Sequence, residues 1–278
     1  MKLRKALAKA KKARQEVIKL NVTKTQPEDP GHLGKKPGNG WKPPVYSQSI
    51  HIELDTEVLL RNRCICVEPN SPEIDCYKVL RTKIQQLTQA KGWNTVMITS
   101  TVPGEGKTLT SINLALTFSK AYNQTVLLVD CDLRYQSIHK VLGFHNDSGL
   151  IECLMDNRPL QESIIWPGIE KLTLMSGGRT IQDSTELLGS PRMQALVKEM
   201  KTRYDDRYVI FDLPPLLVGA DALALAPFID CIVMVVEEGR TPTKDLQKAM
   251  QMLPPEKFIG FVMNRQKIAM AEYYGAYY

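Results

Sequence analysis

One stretch of the chain, residues 101–108, has the composition of a loop that binds phosphate groups. Its sequence is Thr-Val-Pro-Gly-Glu-Gly-Lys-Thr; it follows an apolar run and opens a helical pattern. Two glycines allow backbone amides to turn toward a phosphate. Lys107 can reach the β- and γ-phosphate oxygens, and the Thr108 hydroxyl can ligate Mg²⁺. The strict pattern has glycine where this chain has Thr101. A glycine-rich turn without function is the alternative, and the flanking strand and helix argue against it.

Two acids follow a second apolar run. Residues 126–129 lead into Asp130 and Asp132. Alternate residues of a strand share a face, so we expect both carboxylates on one side. At the carboxyl edge of a parallel sheet they project toward a ligand crevice. One could be held near a metal ion while the other accepts a proton. A solvated turn is the alternative, and the nearby phosphate loop makes it less favoured.

A third apolar run, residues 208–211, ends in Asp212 and is followed by two prolines. An acid after four apolar residues is typical of the strand that orients Mg²⁺, directly or through water. Asp221 follows in the next loop. For this residue a helix N-cap near Ala220 and a functional role are equally supported.

The chain ends in a cluster of tyrosines separated by small residues. Four of the ten tyrosines in the chain lie in the last six positions: Tyr273, Tyr274, Tyr277 and Tyr278. Such a terminus does not pack a core, so we expect phosphoacceptors, with an interaction tag or a chance aromatic end as the alternative. A phenol with a pKa near ~10 needs a base to take its proton. Asp132 is the candidate base.

A sheet is needed to bring these segments together. Apolar runs predict strands at 95–99, 125–129, 171–175, 208–211, 231–236 and 258–263. Periodic segments predict helices at 71–90, 108–121, 191–204, 220–227 and 243–253, the first ending at Gly92. Strands that are apolar throughout are buried on both faces. The pattern predicts an α/β fold with a mostly parallel sheet and helices on both faces.

Charge and composition argue against several classes of protein. The net charge is +6, but the first 20 residues hold eight Lys/Arg against one acid, so the remaining chain is nearly neutral. This argues against a nucleic-acid-binding domain. No apolar run approaches the ~18 residues of a membrane span, and no secretory signal is apparent. The six cysteines lack CxxC spacing and are expected to be reduced thiols; Cys64 and Cys66 fall in an expected strand.

The composition divides the chain into four parts. Residues 1–24 are expected to form a basic amphipathic helix and residues 25–49 a disordered Pro/Gly linker. Residues 50–268 are expected to form the nucleotide-binding domain, and residues 269–278 are the tyrosine-rich tail.

Over roughly residues 62–278, the chain resembles the bacterial tyrosine kinases of the CpsD/CapB type. The resemblance rests on the phosphate loop, on Asp130-x-Asp132-x-Arg134, on the strand before Asp212 and on the tyrosine cluster. It implies a P-loop NTPase fold of the MinD-like deviant Walker class that binds ATP and Mg²⁺. It also implies a ring-like homo-oligomer in which one protomer phosphorylates the tail of a neighbour, with a role in capsule or exopolysaccharide polymerisation and export.

The resemblance also implies site residues. The implied catalytic residues are Lys107, Asp130 and Asp132. The implied metal ligands are Thr108, Asp130 and Asp212. The ATP-binding set is Pro103, Gly104, Glu105, Gly106, Lys107, Thr108, Leu109 and Asn264. The family's oligomerisation motif Glu-x-x-Arg-x-x-Arg matches Asp75, Lys78 and Arg81. Two residue types differ there, and lysine lacks the bidentate fork of arginine.

Family members with fused membrane helices differ from this sequence, so the expected membrane adaptor is a separate chain. The basic N-terminus could contact anionic lipid, contact that adaptor, or remain solvated. The expected location is cytoplasmic, at the inner face of the plasma membrane. The alternative function is a MinD/ParA-like ATPase switch without protein kinase activity; Val102 stands where such switches carry an extra lysine, which favours the kinase. A scaffold with a decayed nucleotide site is the third hypothesis, and the intact lysine and acids argue against it.

Overall fold

The computed structural model describes residues 49–68, 73–145 and 148–266. They belong to the second of two units of the chain, residues 41–278. Within these ranges the strands are β1 Ile50–His51, β2 Thr95–Ser100, β3 Thr125–Asp130, β4 Ile165–Trp166, β5 Leu172–Met175, β6 Arg207–Asp212, β7 Cys231–Glu237 and β8 Phe258–Asn264. The α-helices are α1 Thr56–Arg61, α2 Glu73–Thr88, α3 Lys107–Ser119, α4 Ile138–Leu142, α5 Leu150–Met155, α6 Ser184–Leu188, α7 Pro191–Thr202, α8 Asp221–Leu225 and α9 Thr243–Met252.

The strands form one sheet in the order β1-β4-β5-β3-β6-β2-β7-β8. Every neighbouring pair is parallel except β4 with β5. The mostly parallel sheet and all six predicted strands are confirmed. The sequence did not reveal β1 and β4, because two residues are too few to show a period.

Both faces of the sheet are covered, as predicted. Along β2, Val96 and Ile98 belong to the core that includes residues of α2 and α3. Met97, between them, belongs to the core on the other face, which includes residues of α7 and α9. The period-2 alternation of a strand therefore divides one apolar run between two layers of helices.

Parallel strands place the ends of all the functional segments at one edge. The phosphate loop follows β2. Asp130 ends β3 and Asp132 follows it, and Asp212 ends β6. Asn264 ends β8. Since β3, β6 and β2 are adjacent in the sheet, three segments far apart in the chain meet at its carboxyl edge.

Two local expectations are wrong. Cys64 and Cys66 do not lie in a strand, because residues Ile65–Val67 form a 3₁₀ helix whose Cys66 amide donates to the Asn113 side chain instead of to a neighbouring strand. Asp132 does not share a strand face with Asp130, because β3 ends at Asp130. All six cysteines are free thiols, as expected.

Several expectations lie outside the described residues. These are the helix at 1–24, the linker up to residue 48, the first positions of the helix predicted from residue 71, and the tail from residue 267. Among the residues that the structure does describe, no helix combines the length and the apolar character needed to cross a membrane.

Candidate functional site

The phosphate loop joins β2 to α3 and requires glycine. Gly104 and Gly106 have φ angles of +85° and +92°, a region that side chains with a Cβ disfavour. A Cβ on Gly106 would also lie 2.1 Å from Nδ2 of Asn264. Since Lys107 begins α3, the loop directs the first amides of that helix toward the site, and a helix N-terminus attracts anions.

The Glu105 side chain holds the loop from inside. Its carboxylate accepts hydrogen bonds from the amides of Thr101 (2.7 Å) and Val102 (2.9 Å), and the Thr241 hydroxyl donates to its other oxygen. Only 1% of Glu105 is exposed. Its backbone carbonyl accepts from Asn264 Nδ2 at 2.8 Å. The side chain of Glu105 therefore shapes the loop, and its backbone carbonyl ties the loop to Asn264.

Lys107 lies among carboxylates. Its Nζ is 2.8 Å from Oδ2 of Asp132 and 3.9 Å from Oδ2 of Asp212. Burial lowers the pKa of Lys107, but the surrounding carboxylates outweigh burial, and the net effect raises the pKa. The lysine is a fixed cation at the start of α3, where phosphate oxygens would compete with Asp132 for it.

Asp212 accepts hydrogen bonds from two hydroxyl groups of α3. Thr108 Oγ1 donates to Asp212 Oδ2 at 2.6 Å, and Ser111 Oγ donates to Oδ1 at 3.0 Å. Ser137 Oγ lies 3.1 Å from the Thr108 hydroxyl. Burial raises the pKa of Asp212, against the opposing effects of Lys107 and the two hydroxyls.

Asp130 is fully buried and is held by backbone amides. Its Oδ1 accepts from the amide of Asp132 at 3.2 Å, and its Oδ2 accepts from the amides of Ser137 and Ile138, both at 3.1 Å. Burial, followed by the repulsion of Asp212, raises the pKa of Asp130 to about 7. Lys107 partly opposes these effects and lowers the pKa of Asp130.

The donor set fits Mg²⁺ together with phosphates. Asp130, Asp212 and the Thr108 hydroxyl offer oxygen, the ligand that Mg²⁺ prefers. Burial is the main cause that raises the pKa of both acids, and a bound cation would favour their charged forms. Across the described ranges, no three His, Cys, Asp or Glu side chains are grouped to hold a metal. Mg²⁺ usually takes one or two carboxylates and completes its shell with water and substrate phosphates.

A second polar cluster is formed by Asp221, Ser184, Thr185 and Arg134, and the sequence had pointed to Asp221 without revealing its partners. Asp221 is the first residue of α8, so its alternative role as a helix N-cap is wrong. Its buried carboxylate accepts from the hydroxyls of Ser184 (2.5 Å) and Thr185, and lies 3.7 Å from Nη2 of Arg134. Arg134 Nε also donates to Ser184 Oγ at 2.8 Å. The sequence signals were Asp221 itself and the position of Arg134, two residues after Asp132.

The remaining predicted residues divide into three groups. Pro103 lies in the phosphate loop and Leu109 in the first turn of α3. Asp75, Lys78 and Arg81 lie on α2 instead: Asp75 pairs with Lys78 at 2.8 Å, and Arg81 donates to the carbonyl of Thr117 at 2.8 Å. The tyrosines predicted to be phosphoacceptors lie outside the described residues.

The fold and site define a P-loop nucleotide-binding domain of the AAA class. A family model described as an AAA domain matches residues 94–252. The cell division ATPase MinD of Pyrococcus furiosus superposes with a TM-score of 0.53 at 22% identity, covering 63% of this chain and 73% of that one. That likeness establishes the MinD-like fold alone.

More similar proteins identify the family. The tyrosine-protein kinase YwqD of Bacillus subtilis is 34% identical over 219 residues, 78% of this chain and 91% of YwqD. The tyrosine-protein kinase CpsD of Streptococcus pneumoniae serotype 4 is 32% identical over 200 residues, 71% of this chain and 86% of CpsD. The chimerical protein CapA2B2 superposes with a TM-score of 0.67 at 26% identity, covering 81% of this chain and 95% of that one.

The chain belongs to the family of bacterial tyrosine-protein kinases. A longer relative, the succinoglycan biosynthesis transport protein ExoP of Rhizobium meliloti, is 29% identical over 209 residues. The match covers 73% of this chain but 26% of ExoP, so the chain corresponds to about a quarter of that protein.

Proposed function

We propose that the protein is an ATP-dependent tyrosine autokinase that phosphorylates the C-terminal tyrosines of a second copy. The observation that carries the proposal is the contact between Lys107 and Asp132 at 2.8 Å, at the mouth of the phosphate loop. The cation proposed to bind phosphate and the candidate base are therefore one hydrogen bond apart. A tyrosine-rich tail in the same chain supplies the acceptor.

Binding of ATP would rearrange this contact. The γ-phosphate is a stronger partner for Lys107 than one carboxylate, because it carries more charge and several oxygens. When Lys107 turns to the phosphate, Asp132 is released and can accept a hydrogen bond from the incoming phenol. The same lysine would thus keep Asp132 neutralised until the nucleotide binds.

The transfer step then uses groups on this chain. Asp132 takes the phenolic proton while the tyrosine oxygen forms a bond to the γ-phosphorus, and the bond from that phosphorus to the bridging β-oxygen breaks. ADP leaves with the electron pair of that bond. Lys107 and the first amides of α3 stabilise the negative charge that accumulates on the transferring group.

Mg²⁺ would neutralise and align the β- and γ-phosphate oxygens when it is bound. We assign its protein ligands to Thr108 and Asp212, with Asp130 as the additional acid of the centre. Asn264 is assigned to the adenine side of the nucleotide, since its amide already lies against the loop at the carbonyl of Glu105.

The wider setting follows from the relatives. CpsD is named a tyrosine-protein kinase, and ExoP is named for succinoglycan biosynthesis transport. We propose that this chain likewise regulates capsule or exopolysaccharide polymerisation and export, at the inner face of the plasma membrane. A separate membrane adaptor would activate it, and α2 with Asp75, Lys78 and Arg81 would contribute to a ring-like homo-oligomer.

The test is phosphotyrosine formation by the purified protein with ATP and Mg²⁺. We expect phosphate on the full chain and none on a chain truncated after Glu272. Tyr122→Phe is the matched control: Tyr122 is 93% exposed, and its loss should leave phosphorylation unchanged. Mixing inactive full-length Lys107→Met with the active truncated chain tests transfer between copies, because label on the inactive chain requires a second protomer. A chain that stays unlabelled even with an adaptor fragment would favour the ATPase switch.

A further inference from the structure

A groove of about 750 Å³ opens beside the site, between helix α2 and the edge strand β8. Its lining includes Val79 and Leu87 of α2, Leu109 of α3, Phe261 and Met263 of β8, and Gln266. Phe261 is 42% exposed and Met263 is 54% exposed. The groove therefore presents large apolar side chains to solvent along much of a strand.

The outer edge of β8 has backbone groups available for pairing. In the described part of the chain β8 pairs with β7 alone, in parallel. The carbonyl of Asn264 accepts from the amide of Glu238 in the β7 connection, so Asn264 faces β7. Since backbone direction alternates along a strand, the N–H and C=O groups of Met263 and Phe261 face outward. Long apolar edge strands are normally covered, because they otherwise recruit another strand.

The chain itself supplies a segment of matching length and pattern. Residue 266 is the last described residue and lines the groove, and twelve residues follow it. The first of these are Lys-Ile-Ala-Met-Ala-Glu, with apolar Ile268 and Met270 at alternate positions. A segment attached at the end of the groove has a high effective concentration there, on the order of millimolar for a short connection.

We propose that residues 268–271 add an antiparallel strand to the outer edge of β8. Residues 264–267 form the connection, a four-residue hairpin loop. This register sets Ile268 beside Met263 and Met270 beside Phe261, covering the two exposed side chains. Four extended residues, 268–271, span about 13 Å and face residues 260–263, the part of β8 that pairs with β7 without a register shift.

The docked tail keeps the acceptor tyrosines away from the phosphate loop of the same chain. In this register the added strand runs from Met263 toward the start of β8 and leads the tyrosines that way, whereas the phosphate loop lies at the edge where the parallel strands end. Tail release is then required before Tyr273 and Tyr274 reach a catalytic site. The docking itself does not depend on the proposed kinase mechanism, because it needs no nucleotide.

Amide hydrogen exchange, resolved by residue and without ATP, tests the docking. The full chain is compared with a chain truncated after Gln266 and with Met270→Asp, which places a charge against Phe261. We expect the amides of Phe261 and Met263 to exchange at least about tenfold more slowly in the full chain than in either variant. Amides of β3, remote from the groove, should be unchanged, which shows that the variants fold.

Met155→Asp is the matched control, since Met155 is 51% exposed on α5 and its replacement should leave β8 exchange unaltered. Equal exchange of Phe261 and Met263 in the full and truncated chains would overturn the proposal. Protection that increases with protein concentration would also overturn it, because the groove would then hold a second copy. Neither outcome bears on the phosphotyrosine test, so the two proposals fail separately.

Discussion

Replacing Gly106 with alanine tests how the phosphate loop is held by a residue far along the chain. Gly106 has φ of +92°, and a Cβ there would meet Asn264 Nδ2 at 2.1 Å. The left-handed backbone costs alanine about 1–2 kcal/mol. Asn264 must also move, and it then loses its bond to the Glu105 carbonyl, worth about 1 kcal/mol. We expect Gly106→Ala to lower the free energy of unfolding by about 2–3 kcal/mol.

A double-mutant cycle separates the two contributions. Asn264→Ala alone should cost about 1 kcal/mol, the value of the lost bond. In the double variant that bond is lost only once, so the total should fall short of the sum of the single effects by about 1 kcal/mol. Gly239→Ala is the control for the backbone, because Gly239 has φ of +70° and no atom within 4 Å of its Cβ position.

Urea denaturation of the nucleotide-free protein measures the free energy of unfolding of the parent and of each variant. If the effects of Gly106→Ala and Asn264→Ala add within the usual ~0.3–0.5 kcal/mol, the contact does not constrain the loop and the reasoning is refuted. Nucleotide binding offers a second measurement. Gly106→Ala should weaken it, while Gly239→Ala should leave it unchanged.

Three further changes have definite expected outcomes. Lys107→Met should abolish autophosphorylation while circular dichroism shows a retained fold, because it removes the cation that faces the phosphates; normal phosphotyrosine would contradict its assignment. Asp132→Asn should keep nucleotide binding and lose transfer, and an unchanged rate of phosphotyrosine formation would exclude Asp132 as the base. Asp230 is half-buried, and burial raises its pKa, but bonds from Lys201, Asn94 and Thr95 outweigh burial and hold the pKa below the usual range. A depressed folded-state pKa adds stability above the unfolded pKa of ~4 that is lost as pH falls through the folded value. Asp230→Asn should therefore lower the unfolding free energy by about 1 kcal/mol at pH 7, with the difference from the parent shrinking below pH ~4; a difference independent of pH would show that the charge is not responsible.

The phosphate loop could be predicted from the sequence because the residues that define it are close together in the chain. A strand, a glycine-rich turn and a helix start occur within a dozen residues of Thr101, so residue types alone define the phosphate loop. Asp212 was equally accessible, since four apolar residues and a terminal acid form one continuous pattern. The short strands β1 and β4 were not, because a two-residue strand has no period of its own.

The separate roles of the acids in the site could be assigned only from the folded structure. The sequence suggested that one of Asp130 and Asp132 is held near a metal ion while the other accepts a proton, but it placed both on one strand face, and β3 ends at Asp130. Asp130 turns to the amides of α4, whereas Asp132 turns to Lys107. Which acid is held by backbone and which faces the lysine depends on where α4 begins, and that is set by packing rather than by the acidic residues themselves.

The sequence by itself determined the parallel sheet, the phosphate loop and the acids that follow its strands, because each depends on neighbours within one apolar run. Only the tertiary structure decided which distant residues complete the loop. Asn264 reaches Glu105 across 159 positions, and Thr241 reaches it across 136. Those contacts exist because β7 and β8 follow β2 in the sheet order, and strand order is a property of the whole packed core that no local pattern encodes.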